Sequence, residues 1–273
     1  MNYKTINHLK TSIIITLILF LSTCLYSQIL VYGDSRSNPE IHKKIISAII
    51  KHEPIAVFNT GDLVFFAKSK KSWKTFVDVT ADLRNRVPYY PILGNHEKNS
   101  AEFHKIFDLP NNERLYSITI QNIEFIVVNT NEKLGLGSKQ YVWLEKQLSE
   151  SQQSKEFSIV LLHHPPFSSG AHAEDPKKLQ KSIVPMFEKY GVDAVFSGHN
   201  HMYERLNVNG INYFITGGGG APLHKSKHKS PYSQKLKICY HFCNLTKVDG
   251  KLCVTAYNLN DSIIDSVDIL HKQ

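Results

Sequence analysis

The sequence predicts an α/β fold, and three patterns carry that prediction. From residue 28 onward, short apolar runs rich in β-branched and aromatic residues alternate with segments whose apolar residues recur at helical spacing. The runs read ILVYGD, IAVFNTGD, PYYPILGNHE, FSIVLLHHPP and DAVFSGHNH, and each ends among Asp, Asn or His. The last stretch, from about residue 211 to 270, is rich in strand formers broken by glycine turns. With 273 residues, 42% hydrophobic and 21% charged, the chain has the balance of a soluble globular protein with material for a core. Neither disorder nor an internal repeat is expected.

A different kind of segment precedes the first run. Lys4 and Lys10 lead into IIITLILFL at residues 13–21, followed by STCLYSQ. A basic start, a short apolar centre and small polar residues are the features of a secretory signal. Spanning a bilayer takes about 20 apolar residues, more than this centre offers. The expectation is a signal peptide over 1–27, cut near Ser27, and one domain over 28–273. Two other outcomes stay open: lipidation at Cys24, where LSTC is close to a lipoprotein box, or an uncleaved anchor. The protein is therefore expected to be exported, periplasmic or extracellular, with a membrane partner only through a lipid on Cys24. Two lysines and no acids fall in the leader, so the net charge drops from +8 to +6. A basic surface favours anionic partners without naming one.

The elements follow in order. Helices are predicted over 39–51, where Pro39 suits a first turn, and over 69–84, 138–150 and 176–190. LYSITIQNIEFIVVNT reads as a hairpin turning at Gln121-Asn122, and a second turn falls at Asp249-Gly250. Cys239, Cys243 and Cys253 flank that second turn. Strand packing accounts for them, as does one disulfide with a free thiol, and their spacing does not suggest a zinc site.

Open α/β sheets form their sites at the carboxyl ends of strands. The five run ends, Gly-Asp34, Gly-Asp62, Gly-Asn95-His96, His163 and Gly-His199-x-His201, would then meet in one crevice. Carboxylate, amide oxygen and imidazole together suit Mn, Fe or Zn. A carboxylate between two ions can bridge them, and a pair of ions can clamp the oxygens of a phosphate. His199 and His201 are two residues apart, so at a strand end they point the same way and one can serve each ion.

In this order the motifs resemble the calcineurin-like metallophosphoesterases, most of all their purple acid phosphatase-like members. The family pattern reads Gly-Asp, Gly-Asp-x-x-Tyr, Gly-Asn-His-Asp/Glu, Val-x-x-His and Gly-His-x-His, and MYER and TGGGGAPLH also look like the family. The resemblance implies a β-sandwich of two mixed sheets flanked by helices. It implies two divalent metal ions, Mn, Fe or Zn, with Asp62 bridging them. Asp34 and His201 would hold the first ion; Asn95, His163 and His199 the second. His163 is preferred to His164 because Val160-Leu161-Leu162-His163 fits the spacing. His96 would touch the phosphate and protonate the leaving oxygen, and a metal-bound hydroxide would attack. The implied activity is hydrolysis of an anionic phosphate ester, a phosphomonoester first. A phosphodiesterase acting on nucleotides or lipid headgroups is the alternative, and a degenerate phosphate- or surface-binding protein is the alternative outside enzymes.

Two positions depart from the pattern. Phe65 stands where purple acid phosphatases have a tyrosine ligand, and phenyl cannot coordinate iron. Arg36 stands where many members have a histidine for the first ion. A guanidinium offers no lone pair to a metal. Two roles stay open for it: gripping substrate phosphate through paired hydrogen bonds, or pairing with a carboxylate and fixing its loop. His164, His172, His104 and His224 are further histidines able to line the crevice or simply to pack. Glu97, Glu204 and Arg205 are expected to buttress the ligand loops. HKSKHK at 224–229 is a solvated loop or a rim for anions; it lacks interleaved aromatics, so no nucleic-acid platform is expected. The sequence carries no mark of oligomeric state.

Overall fold

A computed structural model describes residues 27–110, 114–154, 156–172, 176–226 and 228–272. Of the expected leader only Ser27 falls within them; Cys24 lies outside the described residues. The first part of the domain runs β1 (Gln28–Tyr32), α1 (Pro39–Lys51), β2 (Ala56–Asn59), α2 (Lys70–Arg86), β3 (Tyr89–Pro91) and α3 (Ala101–Ile106). Next come the hairpin of β4 (Tyr116–Ile120) and β5 (Ile123–Val127), then α4 (Lys139–Ser154), β6 (Phe157–Leu161), α5 (Pro176–Ser182), α6 (Val184–Lys189) and β7 (Ala194–Ser197). The last part is all strand: β8 (Tyr203–Val208), β9 (Ile211–Thr216), β10 (Ser233–Lys237), β11 (His241–Val248), β12 (Lys251–Asn258) and β13 (Ile263–Leu270).

The strands form two mixed sheets, in the orders β13-β12-β11-β1-β2-β3 and β10-β8-β9-β7-β6-β5-β4. In the first, β1, β2 and β3 are parallel, and β11 lies antiparallel on the other side of β1. In the second, β5, β6, β7 and β9 are parallel neighbours. Inner faces meet in the main core, where Phe58 of β2 stacks on Phe125 of β5 with ring centroids 4.4 Å apart. Strand β6 explains the unbroken apolar runs. Phe157, Ile159 and Leu161 enter the main core, while Val160 enters a second core under Leu144, Leu148 and Phe187 of α4 and α6. A strand covered on both faces reads as continuous apolar sequence.

Helix ends follow local chemistry. Asn38 caps α1 by accepting from the Ile41 amide, with Pro39 in the first turn, and Ser69 caps α2 through the Ser72 amide. The helix expected over 176–190 is two helices instead, parted at Ile183. Pro185 lies in the first turn of α6; it has no amide hydrogen to continue the ladder of α5. Helix α3, capped by Ser100, was not legible in the sequence because six residues are too few to show a period. Gln121, Asn122, Asp249 and Gly250 all have positive φ, as two-residue hairpin turns of the predicted kind require. Cys239, Cys243 and Cys253 are free thiols, and Cys243 packs in the main core. Among the described residues no helix is long and apolar enough to cross a membrane.

One polar link is sealed beneath α1. His42 shares a hydrogen bond of 3.0 Å with the Tyr32 hydroxyl, which bonds the Tyr89 hydroxyl at 2.7 Å. Burial lowers His42 from the usual 6.5 to about 3, and His241 on β11 to about 4. Unfolded, both take a proton near 6.5, so the unfolded state binds more protons below that pH. Stability of the chelated protein should therefore fall as pH drops below 6.5, down toward 4 and 3. In His42→Gln, denaturant titrations across that range should lose a slope of up to about 1.4 kcal/mol per pH unit. An unchanged slope would remove His42 from this account.

Candidate metal centre

Five strands, β1, β2 and β3 of one sheet and β6 and β7 of the other, end at a common edge. The loops that follow them bring Asp34, Asp62, Asn95, His96, His163, His199 and His201 together. Three of these are in the left-handed backbone region: Asp34 at φ 56°, Asp62 at 56° and His199 at 68°. Such conformations cost of order 1–3 kcal/mol each and persist only when neighbours enforce them. Here the neighbours are visible. The Asp34 amide donates to Gly61 O at 2.9 Å, and the His199 amide to Asp34 Oδ2 at 2.9 Å. Glu97, fully buried, accepts from the amides of Asp62 and Gly94 at 2.9 Å and of Val64 at 3.0 Å. Burial and the Asp62 charge push its carboxyl up to about 8, against the pull of those three donors. A Cβ at Gly94 would strike the Asp62 carboxylate, so this turn admits only glycine.

The ligand atoms fall into two groups that meet at Asp62 and His163. In one, His163 Nε2 and His199 Nδ1 each lie 2.9 Å from Asn95 Oδ1, and His163 Nε2 lies 3.4 Å from Asp62 Oδ1. His163 Nδ1 donates to Thr60 O at 2.8 Å, so its Nε2 presents a lone pair to these oxygens. The His163 lone pair thus faces two oxygen acceptors, and such groups repel unless a cation lies between them. Imidazole, amide oxygen and carboxylate are also what Mn, Fe and Zn accept, so this group fits a divalent ion. In the other group, His201 Nε2 lies 3.4 Å from Asp34 Oδ1, and the ligand atoms of Asp34, Asp62 and His163 are all within 4.8 Å of one another. His201 Nδ1 donates to Pro222 O at 2.7 Å, which again leaves Nε2 as an acceptor aimed into the site.

Arg36 lies in this second group. Its Nε donates to Asp62 Oδ2 at 3.2 Å, and its Nη2 is 3.3 Å from His201 Nε2. Its guanidinium carbon is 5.2 Å from the centroid of the Phe65 ring. The Phe65 side chain presents no oxygen, while its backbone carbonyl accepts from His96 Nδ1 at 2.7 Å. That bond turns His96 Nε2 toward Asp62, 3.8 Å from Oδ2, with 21% of the side chain exposed to the crevice. Burial alone would raise the Asp62 carboxyl, but His163, His96 with its amide, and Arg36 outweigh it and the net shift is downward. Burial and the surrounding imidazoles hold His199 far below its usual range.

The remaining candidates divide. His164, His172 and His224 do line the crevice. His164 and His172 pack on His199, and His224 stacks on His201 at 3.8 Å between ring centroids. Burial lowers His164 to about 3; its Nδ1 shares a hydrogen bond with Thr130 Oγ1. His104 sits on α3, where its Nε2 shares a hydrogen bond of 2.8 Å with Asn99 Oδ1. Glu204 accepts from the Ser169 amide and hydroxyl, and Arg205 pairs with Asp265 of β13, so both brace the loops around His201 from behind. Asn200 was not singled out in the sequence, although it stands between two histidines. It is buried and exchanges hydrogen bonds with the His172 backbone, tying two crevice loops together. A cleft of about 380 Å³, lined by Thr130, Asn131, Glu132 and Lys178, opens beside Asn95.

A fold with parallel strand ends converging on carboxylates and imidazoles defines a class, the two-sheet metallophosphoesterase architecture. The calcineurin-like phosphoesterase profile matches residues 27–203, and the chain belongs to that family. Purple acid phosphatase 18 of Arabidopsis thaliana is 28% identical over 196 residues, 63% of this chain and 45% of that protein. The Fe(3+)-Zn(2+) purple acid phosphatase 12 of the same plant is 30% identical over 150 residues, 54% of this chain and 31% of that one. A purple acid phosphatase from yellow lupin (Lupinus luteus) seeds superposes with a TM-score of 0.79 at 22% identity, covering 89% of this chain and 53% of that one. The chain thus spans under half the length of these curated relatives.

The Glu97 clamp is open to test. In Glu97→Gln an amide hydrogen would face backbone donors, at a cost of about 1–3 kcal/mol. Thermal melts should fall accordingly, and metal retained through dialysis should fall with them. A variant that melts and retains metal like the parent would show that the Asp62 and Asn95 turns hold without Glu97.

Proposed function

We propose that this protein is a metal-dependent phosphoesterase that hydrolyses phosphomonoesters, with divalent ions held by Asp34, Asp62, Asn95, His163, His199 and His201. The observation that carries the reading is the convergence of the His163 Nε2 lone pair on Asn95 Oδ1 and Asp62 Oδ1, with His199 Nδ1 on the same Asn95 oxygen, beside a histidine open to the crevice. Such ions would polarise phosphate oxygens and lower the pKa of a water they bind toward 7. That relatives bear the name acid phosphatase supports reading a monoester before a diester.

The chain's own groups would do the rest. Asp62 turns one oxygen to each ligand group, so it sets their separation. Asp34, tied to the His199 amide, couples the first strand end to the fifth. His96 is fixed through Nδ1, which leaves Nε2 to hold a proton and give it to the leaving oxygen. Arg36 would meet phosphate oxygens once released from Asp62 and His201. Phe65 packs on His96 and Phe66 on Phe65, both exposed, and they would form an apolar wall for a leaving group. Export, on the composition of residues 1–27, places this activity outside the cytoplasm.

Rates on nitrophenyl phosphate and bis-nitrophenyl phosphate test the substrate class; a higher kcat/KM on the diester would overturn the monoester reading. His163→Ala should abolish turnover and lower bound metal. His96→Ala should keep the metal and lose about 10²–10⁴ in kcat, the usual range for a general acid. Equal loss of metal in both variants would make His96 a structural residue. With iron added, no tyrosinate-to-iron absorption band should appear, because Phe65 has no hydroxyl.

A further inference from the structure

Arg36 occupies the atoms that a first ion would need. Asp62 Oδ2 accepts from its Nε at 3.2 Å. His201 Nδ1 is committed as a donor to Pro222 O, so the lone pair at Nε2 is what faces Arg36 Nη2 at 3.3 Å. An ion ligated by His201 requires that same lone pair. A lone pair serves one partner, so the guanidinium as placed and an ion in this half-site exclude each other. Charge reinforces the exclusion, since a permanent cation a few ångströms from a divalent ion repels it strongly in a buried site.

The arrangement is held from several sides. The Arg36 amide donates to Asp62 O at 3.2 Å, its Nη1 reaches Ser37 Oγ at 3.4 Å, and the Phe65 ring lies under the guanidinium. The side chain is 13% exposed. Neither Phe65 nor Arg36 supplies a further ligand, so among the described residues an ion in this half-site would rely on Asp34, Asp62 and His201, with His163 committed to the other group. A cavity of about 230 Å³ lined by Arg36, Phe65, Ser72 and Lys71 gives a displaced side chain somewhere to go, though Lys71 makes it a cationic neighbourhood.

We propose that Arg36 is the resident cation of the first half-site. It neutralises Asp62 and holds His201 without an ion, so one divalent ion binds tightly, between Asp62, Asn95, His163 and His199. A second ion enters only by displacing the guanidinium. The inference rests on the metal-centre reading above and adds an unequal pair of sites to it. The second ion's apparent affinity is reduced by the fraction of molecules in which Arg36 has moved away.

Equilibrium binding of Mn²⁺, followed by calorimetry and by elemental analysis after dialysis, tests this on the parent, Arg36→Leu and Arg36→Gln. Arg36→Gln keeps hydrogen bonding without the charge and guards against a folding loss in the leucine variant. The parent should bind one ion tightly and a second at least about tenfold more weakly. Both variants should tighten the second ion by about tenfold or more and leave the first unchanged. Two equally tight ions in the parent, or an unchanged second affinity in both variants, would overturn the inference while leaving the metal centre standing. No tight ion in any of the three proteins would overturn the metal-centre reading, and this one with it.

Discussion

Two carboxylates buried close to one another set the terms for the whole edge of the molecule. Asp34 and Asp62 are almost fully removed from water, and a charge taken out of water without a partner is costly. The chain surrounds them with the amides of His199 and His96, with imidazoles from the strands opposite, and with one guanidinium. The same negative charge would draw divalent ions. Stability without metal and affinity for metal are two responses to one electrostatic demand, and Arg36 stands where the two responses compete.

The loops that answer this demand do not act separately. Glu97 joins the turns after β2 and β3, and Asp34 joins the turns after β1 and β7. Asn200 and Glu204 tie in the loop of His172 and Ser169, and the Gly219 amide donates to Gly33 O. Each strained backbone position is thus overdetermined by contacts from another strand end. The centre behaves as one crosslinked body, which is what a site must be to hold ligand geometry on loops.

Much of this was legible in the sequence. The apolar runs ending in Asp, Asn or His gave away both the parallel strands and the edge where they end, because strands buried on both faces leave a strong local pattern. Helices α1, α2 and α4 were readable from helical spacing, α1 also from Pro39 in its first turn. What was not readable depended on contacts between distant residues or on pieces too short to show a period. Helix α3 is one such piece, and the break at Ile183 turned on a proline whose effect the apolar pattern masked. The choice between two roles for Arg36 was another, since residue type alone fits either. Only the placement of Asp62 and His201 around it reveals which groups it meets. Asn200 gave no signal beyond its place between two histidines.

The pairing of β1 with β11 reaches beyond the site. Gln28 to Val31 lie in register with Thr246 to Cys243, so the strand that carries Asp34 is flanked on one side by residues from the far end of the chain. Non-local pairings of this kind form slowly, because the intervening chain must be brought together before they reward it. The edge of β1 opposite β2 is therefore left unpaired until residues 243 to 246 are in place, so the first sheet reaches its full order only through a contact spanning roughly two hundred residues.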